Sequence, residues 1–240
     1  CIYLAWLKKK GLISKAICRT HSGDLYEYHI SIKNKILFRN FQFKYLDAVL
    51  PVSKMGTEYL SKKYPESQAI IKTVFLGTED QGINPFAKEC FTIVSCASLR
   101  HHKRIHKIAK MLLYVDIPVH WIHFGDERLT SPDPKIHEYI KYKDLLIQKK
   151  NVKYTPMGYI LNEDIFKFYQ NNPVNLFISL SAYEGIPVSI MEAISFGIPV
   201  LSTDVGGCSE IVNEQTGKLI PLTTPSVEVA KIVEDIANSE

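Results

Sequence analysis

No apolar run in this 240-residue chain approaches the ~20 residues needed to cross a bilayer. Ile2 to Leu7 is apolar, but too short for a span or for the apolar stretch of a signal peptide. Cysteine is scarce. Cys1, Cys18, Cys90, Cys96 and Cys208 are odd in number and contain no CxxC spacing. They read as small core residues of a reducing compartment, with neither a disulfide framework nor a metal site expected. The histidines His101, His102 and His106 are close in sequence but lack the order of metal ligands. There is no internal repeat, no low-complexity tract and no Gly/Ser linker, which argues against solenoid and disordered classes. Nor is there a nucleic-acid recognition motif or an interleaving of aromatic and basic residues, so no nucleic-acid partner is expected.

What is present fits a globular protein: 46% hydrophobic and 22% charged residues. That is enough core for one large or two small domains. Charge is uneven. Residues 1–90 carry 14 Lys/Arg against 8 Asp/Glu, and residues 91–240 carry 15 against 17. The basic first part suits an anionic membrane surface, or is simply a solvated lysine face.

The element pattern alternates. Leu4 to Lys10 reads as a helix end closed by Gly11. Ile13 to Arg19 reads as a strand, with Thr20 to Asp24 as its carboxyl-end loop. Tyr28 to Phe43 is expected to contain a helix. Asp47 to Val52 is a strand, and Ser53 is a good N-cap for a helix from Lys54 to Lys63. Ala69 to Leu76 is a strand. Gln81 to Glu89, with Gly82 and Pro85, reads as a linker. Strands follow at 91–96, 119–124 and 152–154, with helices at 103–114, 137–149 and 162–169. A last helix begins near Pro225. This rhythm predicts an α/β fold with parallel sheets.

The most informative stretch is Val174 to Gly207. Val174 to Leu180 is an apolar run of strand length, as for a strand buried on both faces. Glu184 and Gly185 break it. Pro187 suits a first helical turn. A helix is expected to about Phe196, ending at Gly197 as a left-handed C′ residue. It is apolar on nearly every face, so it is expected to be buried. Glu192 in its middle must then be paired or hydrogen-bonded, because an isolated buried carboxylate costs several kcal/mol. Glu184 and Glu192 would border one crevice beyond the carboxyl end of the strand, where open α/β sheets bind ligands. The backbone N–H groups from Ile186 to Ser189 would favour an anion. Carboxylates beside an anion site suggest a ligand carrying hydroxyls and phosphates.

Glu184 and Glu192, with seven residues between them, enclose Gly185 and Pro187 and precede Gly197-Ile198-Pro199-Val200. This string resembles the signature of the retaining glycosyltransferases of family 4. The resemblance implies the GT-B fold, two Rossmann-like domains with parallel sheets. Measured against the family, the N-terminal domain is expected to be incomplete and the last helices absent. The implied division is 1–84 for the acceptor-side domain, 85–90 for the linker, and 91–240 for the domain that binds a nucleotide-sugar donor. It also implies residue roles. Arg19-x-His21-x-Gly23-Asp24 resembles the family segment whose histidine faces the donor sugar, so His21 is a candidate catalytic contact beside Glu184. Lys103 matches the lysine of a diphosphate clamp. Ser98 stands where the family has arginine, which leaves Ser98, Arg100 or Arg104 to supply that contact. Gly158, Tyr159 and Ile160 match the loop that meets the base. Gly185, Ile186, Pro187 and Val188 border the donor, and Glu192 holds the ribose.

The implied activity is transfer of a sugar, with retention, from a UDP- or GDP-sugar to a hydroxyl of a glycan or lipid-linked acceptor. The implied context is cytoplasmic envelope or exopolysaccharide building, with peripheral contact at the inner face of an anionic membrane. The chain has no Asp-x-Asp pair, and the resemblance implies no metal or other cofactor. Two other classes fit the same residues: a sugar-nucleotide epimerase of the same architecture, and a non-catalytic nucleotide-sugar binder.

Overall fold

The computed structural model describes residues 1–27, 36–85, 90–126 and 136–239. They form two compact units. The first comprises Cys1–Gly77 with Glu184–Pro187 and Gly206–Glu210; the second comprises Thr78–Tyr183, Val188–Val205 and Ile211–Glu240.

The first unit contains helix α1 (Ile2–Lys9), strand β1 (Ile17–Thr20) and a single turn α2 (Ser22–Leu25). Helix α3 (Arg39–Tyr45), strand β2 (Ala48–Pro51), helix α4 (Lys54–Lys63) and a short strand β3 (Ile70–Ile71) follow. The strands pair in parallel in the order β1-β2-β3. Gly11 closes the first helix at φ +71°, as its position suggested. Part of the helix expected in 28–43 lies outside the described residues, and so do residues 86–89 of the linker. Both outer strands are shorter than their apolar runs. The cap of α4 forms as expected: Ser53 Oγ accepts from the Gly56 N–H at 3.0 Å, satisfying one orphan donor of the first turn. The apolar faces meet in a core that includes Ala5, Cys18, Leu25, Phe43, Val49 and Leu60. Glu27 is buried at its edge. Burial alone would raise its carboxyl, but hydrogen bonds from Lys63 and Tyr64 outweigh that and hold it below its ordinary range. The expectation of free cysteines fails here. Cys1 and Cys18 form a disulfide, because the start of α1 lies over β1 with a Cα separation of 5.8 Å. Sequence spacing held no trace of that pairing.

The second unit is a six-stranded parallel sheet. Its strands are β4 (Phe91–Cys96), β5 (Val119–Phe124), β6 (Val152–Gly158), β7 (Leu176–Ser179), β8 (Val200–Thr203) and β9 (Gly217–Ile220). Its helices are α5 (Ile105–Leu112), α6 (Ile136–Gln148), α7 (Asn162–Asn171), α8 (Val188–Ile194) and α9 (Ser226–Ser239). The strand order is β6-β5-β4-β7-β8-β9, that of a Rossmann-like sheet. The inner strands are buried on both faces, which is why apolar residues dominate them without strict alternation. Ile93, Trp121 and Leu176 point into a core shared with α5, α6 and α9. On the opposite face Phe124, Phe168, Tyr169 and Phe196 meet edge to face. The segment entering this unit is docked by backbone, since Gln81 and Asn84 donate to the carbonyls of Ser195 and Phe196 at 3.1 and 2.8 Å.

Three local expectations change. The helix after β4 does not begin at Lys103. His101–Lys103 is a 3-10 turn, and Arg104 adopts φ +51° before α5 starts. β6 runs on to Gly158 because it pairs with β5 to its end, with a register shift that skips Met157. α8 ends at Ile194, two residues early, with Gly197 left-handed at φ +70° as expected. It is not buried all round, since Val188 is 48% exposed. Among the described residues no helix is long and apolar enough to cross a membrane.

Candidate functional site

The order of the sheet predicts where a ligand would lie before any side chain is considered. The chain moves outward in one direction from β4 to β6, then returns to the other side at β7. Connections leave the carboxyl ends of β4 and β7 in opposite directions, and a crevice opens between them. The loop after β4 carries Ser98 and Lys103. The loop after β7 leads to Glu184 and then to Glu192 on α8.

In the second unit these two loops are joined. Ala182 N–H donates to the His102 carbonyl at 2.6 Å. The rings of His102 and Tyr183 stack, with centroids 4.6 Å apart and planes 17° apart. Thr203 Oγ1, at the end of β8, donates to the Ser181 carbonyl at 2.6 Å. The 3-10 turn that ends in Lys103 is thereby held from the side of β7. Ser98 is exposed, and its carbonyl accepts from the Arg100 N–H. Arg104, one of the residues considered for the missing arginine, points elsewhere. Its guanidinium donates to the Leu222 carbonyl at 3.2 Å, and burial lowers its pKa.

Glu192 is half-buried, and its carboxylate Oε1 accepts from Asn162 Nδ2 at 2.8 Å. Burial raises the carboxyl above its ordinary value, and the Asn162 amide moderates the rise. Cys96, the last residue of β4, connects the two sides electrostatically. Burial pushes its thiol up to about 12, the Glu192 charge adds to this, and Lys103 opposes it. Glu192 and Lys103 therefore both act on the carboxyl end of β4. Tyr169 on α7 is raised well above its ordinary range by burial, with Cys96 and Glu192 adding to the rise.

The base-site candidates lie on the same side. Gly158 ends β6 at φ +69°, and its carbonyl accepts from the Gly125 N–H at 2.9 Å. Tyr159 is 73% exposed and Ile160 half-buried. The chain then enters α7 at Asn162, which reaches Glu192. Residues 158–160 thus lead directly into the residue that holds the carboxylate.

The remaining candidates belong to the first unit. Glu184 is 8% exposed. Gly185 accepts from the Gly207 N–H at 2.7 Å. Ile186 and Pro187 are buried beside them. Gly206 at φ +56° lies against the Glu184 backbone, where a Cβ would stand 1.9 Å from the Glu184 carbonyl oxygen. His21 is exposed at the end of β1, and its N–H donates to Asp24 Oδ1 at 2.6 Å.

Three contributors escaped sequence reading. Asn162 registered only as a helix start and His102 only as a histidine outside any metal-ligand order, while Tyr183 carried no signal. Their partners are 30 residues away for Asn162 and, for the ring pair, on another strand's loop. Among the described residues no group of three His, Cys, Asp or Glu side chains gathers as a metal site.

Known proteins agree with this architecture. The chain is 36% identical over 152 residues to the Escherichia coli O-antigen biosynthesis glycosyltransferase WbnH, covering 62% of this chain and 39% of that protein. It is 25% identical over 234 residues to the Streptococcus agalactiae UDP-N-acetylglucosamine–peptide N-acetylglucosaminyltransferase GtfA subunit, covering 92% of this chain and 44% of that protein. The chain therefore spans less than half the length of these curated relatives. Among solved structures it resembles sucrose-phosphate synthase from Thermosynechococcus elongatus, with a TM-score of 0.77 and 17% identity over 99% of this chain and 62% of that one. It also resembles Anabaena HepE in complex with UDP-glucose, with a TM-score of 0.76 and 20% identity over 94% of this chain and 63% of that one. These neighbours are GT-B glycosyltransferases, and at such identities they establish the fold. Residues 78–239 match the family described as glycosyl transferases group 1, and the chain belongs to that family.

Proposed function

We propose that this chain binds a nucleoside diphosphate sugar and serves its transfer, with retention, to an acceptor hydroxyl. The observation that carries the proposal is Glu192. It is a half-buried carboxylate held by a neighbouring amide and electrostatically tied to the carboxyl end of β4, in a chain of a glycosyltransferase family. A carboxylate kept at that cost suits a ligand with paired hydroxyls, as on a ribose. Lys103 would meet the diphosphate. Departure of the diphosphate develops negative charge, and a fixed cation there stabilises the transition state. Ser98 would add a hydroxyl where the related enzymes carry arginine.

Gly158, Tyr159 and Ile160 would border the base, and Gly185 to Val188 the diphosphate and sugar. Glu184 would hold sugar hydroxyls near the reacting carbon, with His21 a further sugar contact. No residue is needed to hold a metal in this scheme. The acceptor would be a glycan or lipid-linked saccharide met on the cytoplasmic side of an envelope-building membrane. The excess of lysine and arginine in residues 1–90 would favour an anionic surface.

Calorimetric titration with UDP and GDP, and with their sugar conjugates, tests this reading. The expected result is binding of one nucleotide, weakened about ten-fold or more in Glu192→Ala because a hydrogen bond to a charged group is lost. Lys103→Ala should weaken the diphosphates more than the corresponding nucleosides. A chain that is folded by circular dichroism yet binds no nucleotide would overturn the assignment.

A further inference from the structure

We propose that Asn162 is a positioning residue for Glu192: its side-chain amide fixes the carboxylate in the orientation and ionised state in which Glu192 receives ligand hydroxyls. The inference deepens the nucleotide-sugar reading and rests on it for the identity of the ligand.

Asn162 opens α7 and donates through Nδ2 to Glu192 Oε1 at 2.8 Å. The bond uses one carboxylate oxygen and leaves the lone pairs of the other for a ligand. An amide donor favours the ionised form over the protonated one, since a protonated carboxyl offers a weaker acceptor. The surroundings make that support consequential. Burial disfavours the charge. The titratable groups facing Glu192 from packed elements are Cys96 on β4 and Tyr169 on α7. Both stay protonated at neutral pH and supply no positive charge. Lys103 acts on Cys96 from the loop after β4. Glu163 and Asp164 follow Asn162 in the first turn of α7 and add like charge on the same helix, with Asp164 paired to Lys167. Asn162 is thus the hydrogen-bond donor that the structure aims at this carboxylate. Its exposure at a helix start lets it be changed without opening a core.

The test needs no ligand in its first readout. The Glu192 side-chain carboxyl is titrated by carbon-13 NMR in the wild-type chain, in Asn162→Ala and in the near-isosteric Asn162→Asp. The expected order of pKa is wild type, then Asn162→Ala, then Asn162→Asp, with the last highest because two carboxylates share the site. Unchanged titration in both variants overturns the inference. The second readout is UDP and GDP affinity against pH. Asn162→Ala should bind more weakly while its Glu192 carboxyl is protonated and recover much of the loss once pH passes the value that the first readout gives for that carboxyl. A pH-independent loss would mark a merely structural role and also overturn it. If the titration shifts as expected while no variant binds either nucleotide, the positioning role stands and the nucleotide-sugar reading falls.

Discussion

The ring of Tyr183 lies flat on the imidazole of His102, 4.6 Å between centroids, and ties the loop after β7 to the turn that carries Lys103. The neighbouring Ala182–His102 backbone bond reinforces it. A stacked pair of this kind is worth about 0.5–1.5 kcal/mol beyond its buried area. Tyr183→Ala should therefore weaken diphosphate binding about two- to ten-fold by releasing the turn. Tyr183→Phe should keep both the stack and the affinity. Calorimetry measures the affinities, and the ring-current shift of the His102 protons reports the stack directly. Equal affinity in both variants would refute the coupling.

Gly206 and Gly197 both have positive φ, at +56° and +70°, but only one is crowded. A methyl group at Gly206 would meet the Glu184 carbonyl oxygen at 1.9 Å, whereas nothing lies within 4 Å of one at Gly197. Gly197→Ala should cost only backbone strain, about 1 kcal/mol. Gly206→Ala should cost that and a backbone displacement around Glu184, on the order of 1–3 kcal/mol more. Thermal unfolding of the two variants gives the comparison. Equal midpoints would mean that the close approach at Glu184 is not maintained.

The pH dependence of stability follows from Glu192. Its folded carboxyl titrates above the ordinary 4.5, first because of burial. A raised carboxyl contributes stability that is full below the unfolded value and is lost as pH rises through the folded value. Glu192→Gln loses no proton, so its stability relative to wild type should rise across that window and level off above it. Denaturant midpoints for both proteins, taken from pH 4 to pH 8, measure the difference. A constant offset would show that Glu192 is not desolvated in the folded chain.

Thiol chemistry separates the cysteines. Cys90 is exposed, Cys208 is buried, and the Cys96 thiol is pushed up to about 12 by burial and the nearby Glu192. The thiolate is the reactive form. Iodoacetamide near neutral pH should label Cys90 first and leave Cys96 and Cys208 unmodified in the native protein. Cys1 and Cys18 should be labelled only after reduction. Peptide mass spectrometry checks each site. Rapid labelling of Cys96 would remove the support it gives to the electrostatic picture around Glu192.

Much of the fold could be read directly. β4 and β5 begin and end where expected, because their apolar residues follow no strict alternation, as in strands buried on both faces, even with Thr92, Ser95, His120 and His123 among them. α4 starts at its serine cap and runs to Lys63 as expected. Edges and joints were less legible. β3 is only Ile70–Ile71, since a strand exists only as far as a partner pairs with it. β6 is longer than its apolar run because β5 extends it. Lys103 left the expected helix because the loops after β4 and β7 hold a 3-10 turn there.

The chain's own residues determined the alternating α/β pattern, the Glu184–Glu192 spacing and the family those residues resemble. These are local properties, set by side-chain period, by glycine and proline at turns, and by a carboxylate within an apolar helix. Only the tertiary structure decided which side chain answers Glu192, which ring braces the turn of Lys103, and that Cys1 meets Cys18. Each is a pairing between elements far apart in sequence. Such pairings depend on strand order and helix docking, which residue spacing along the chain does not encode.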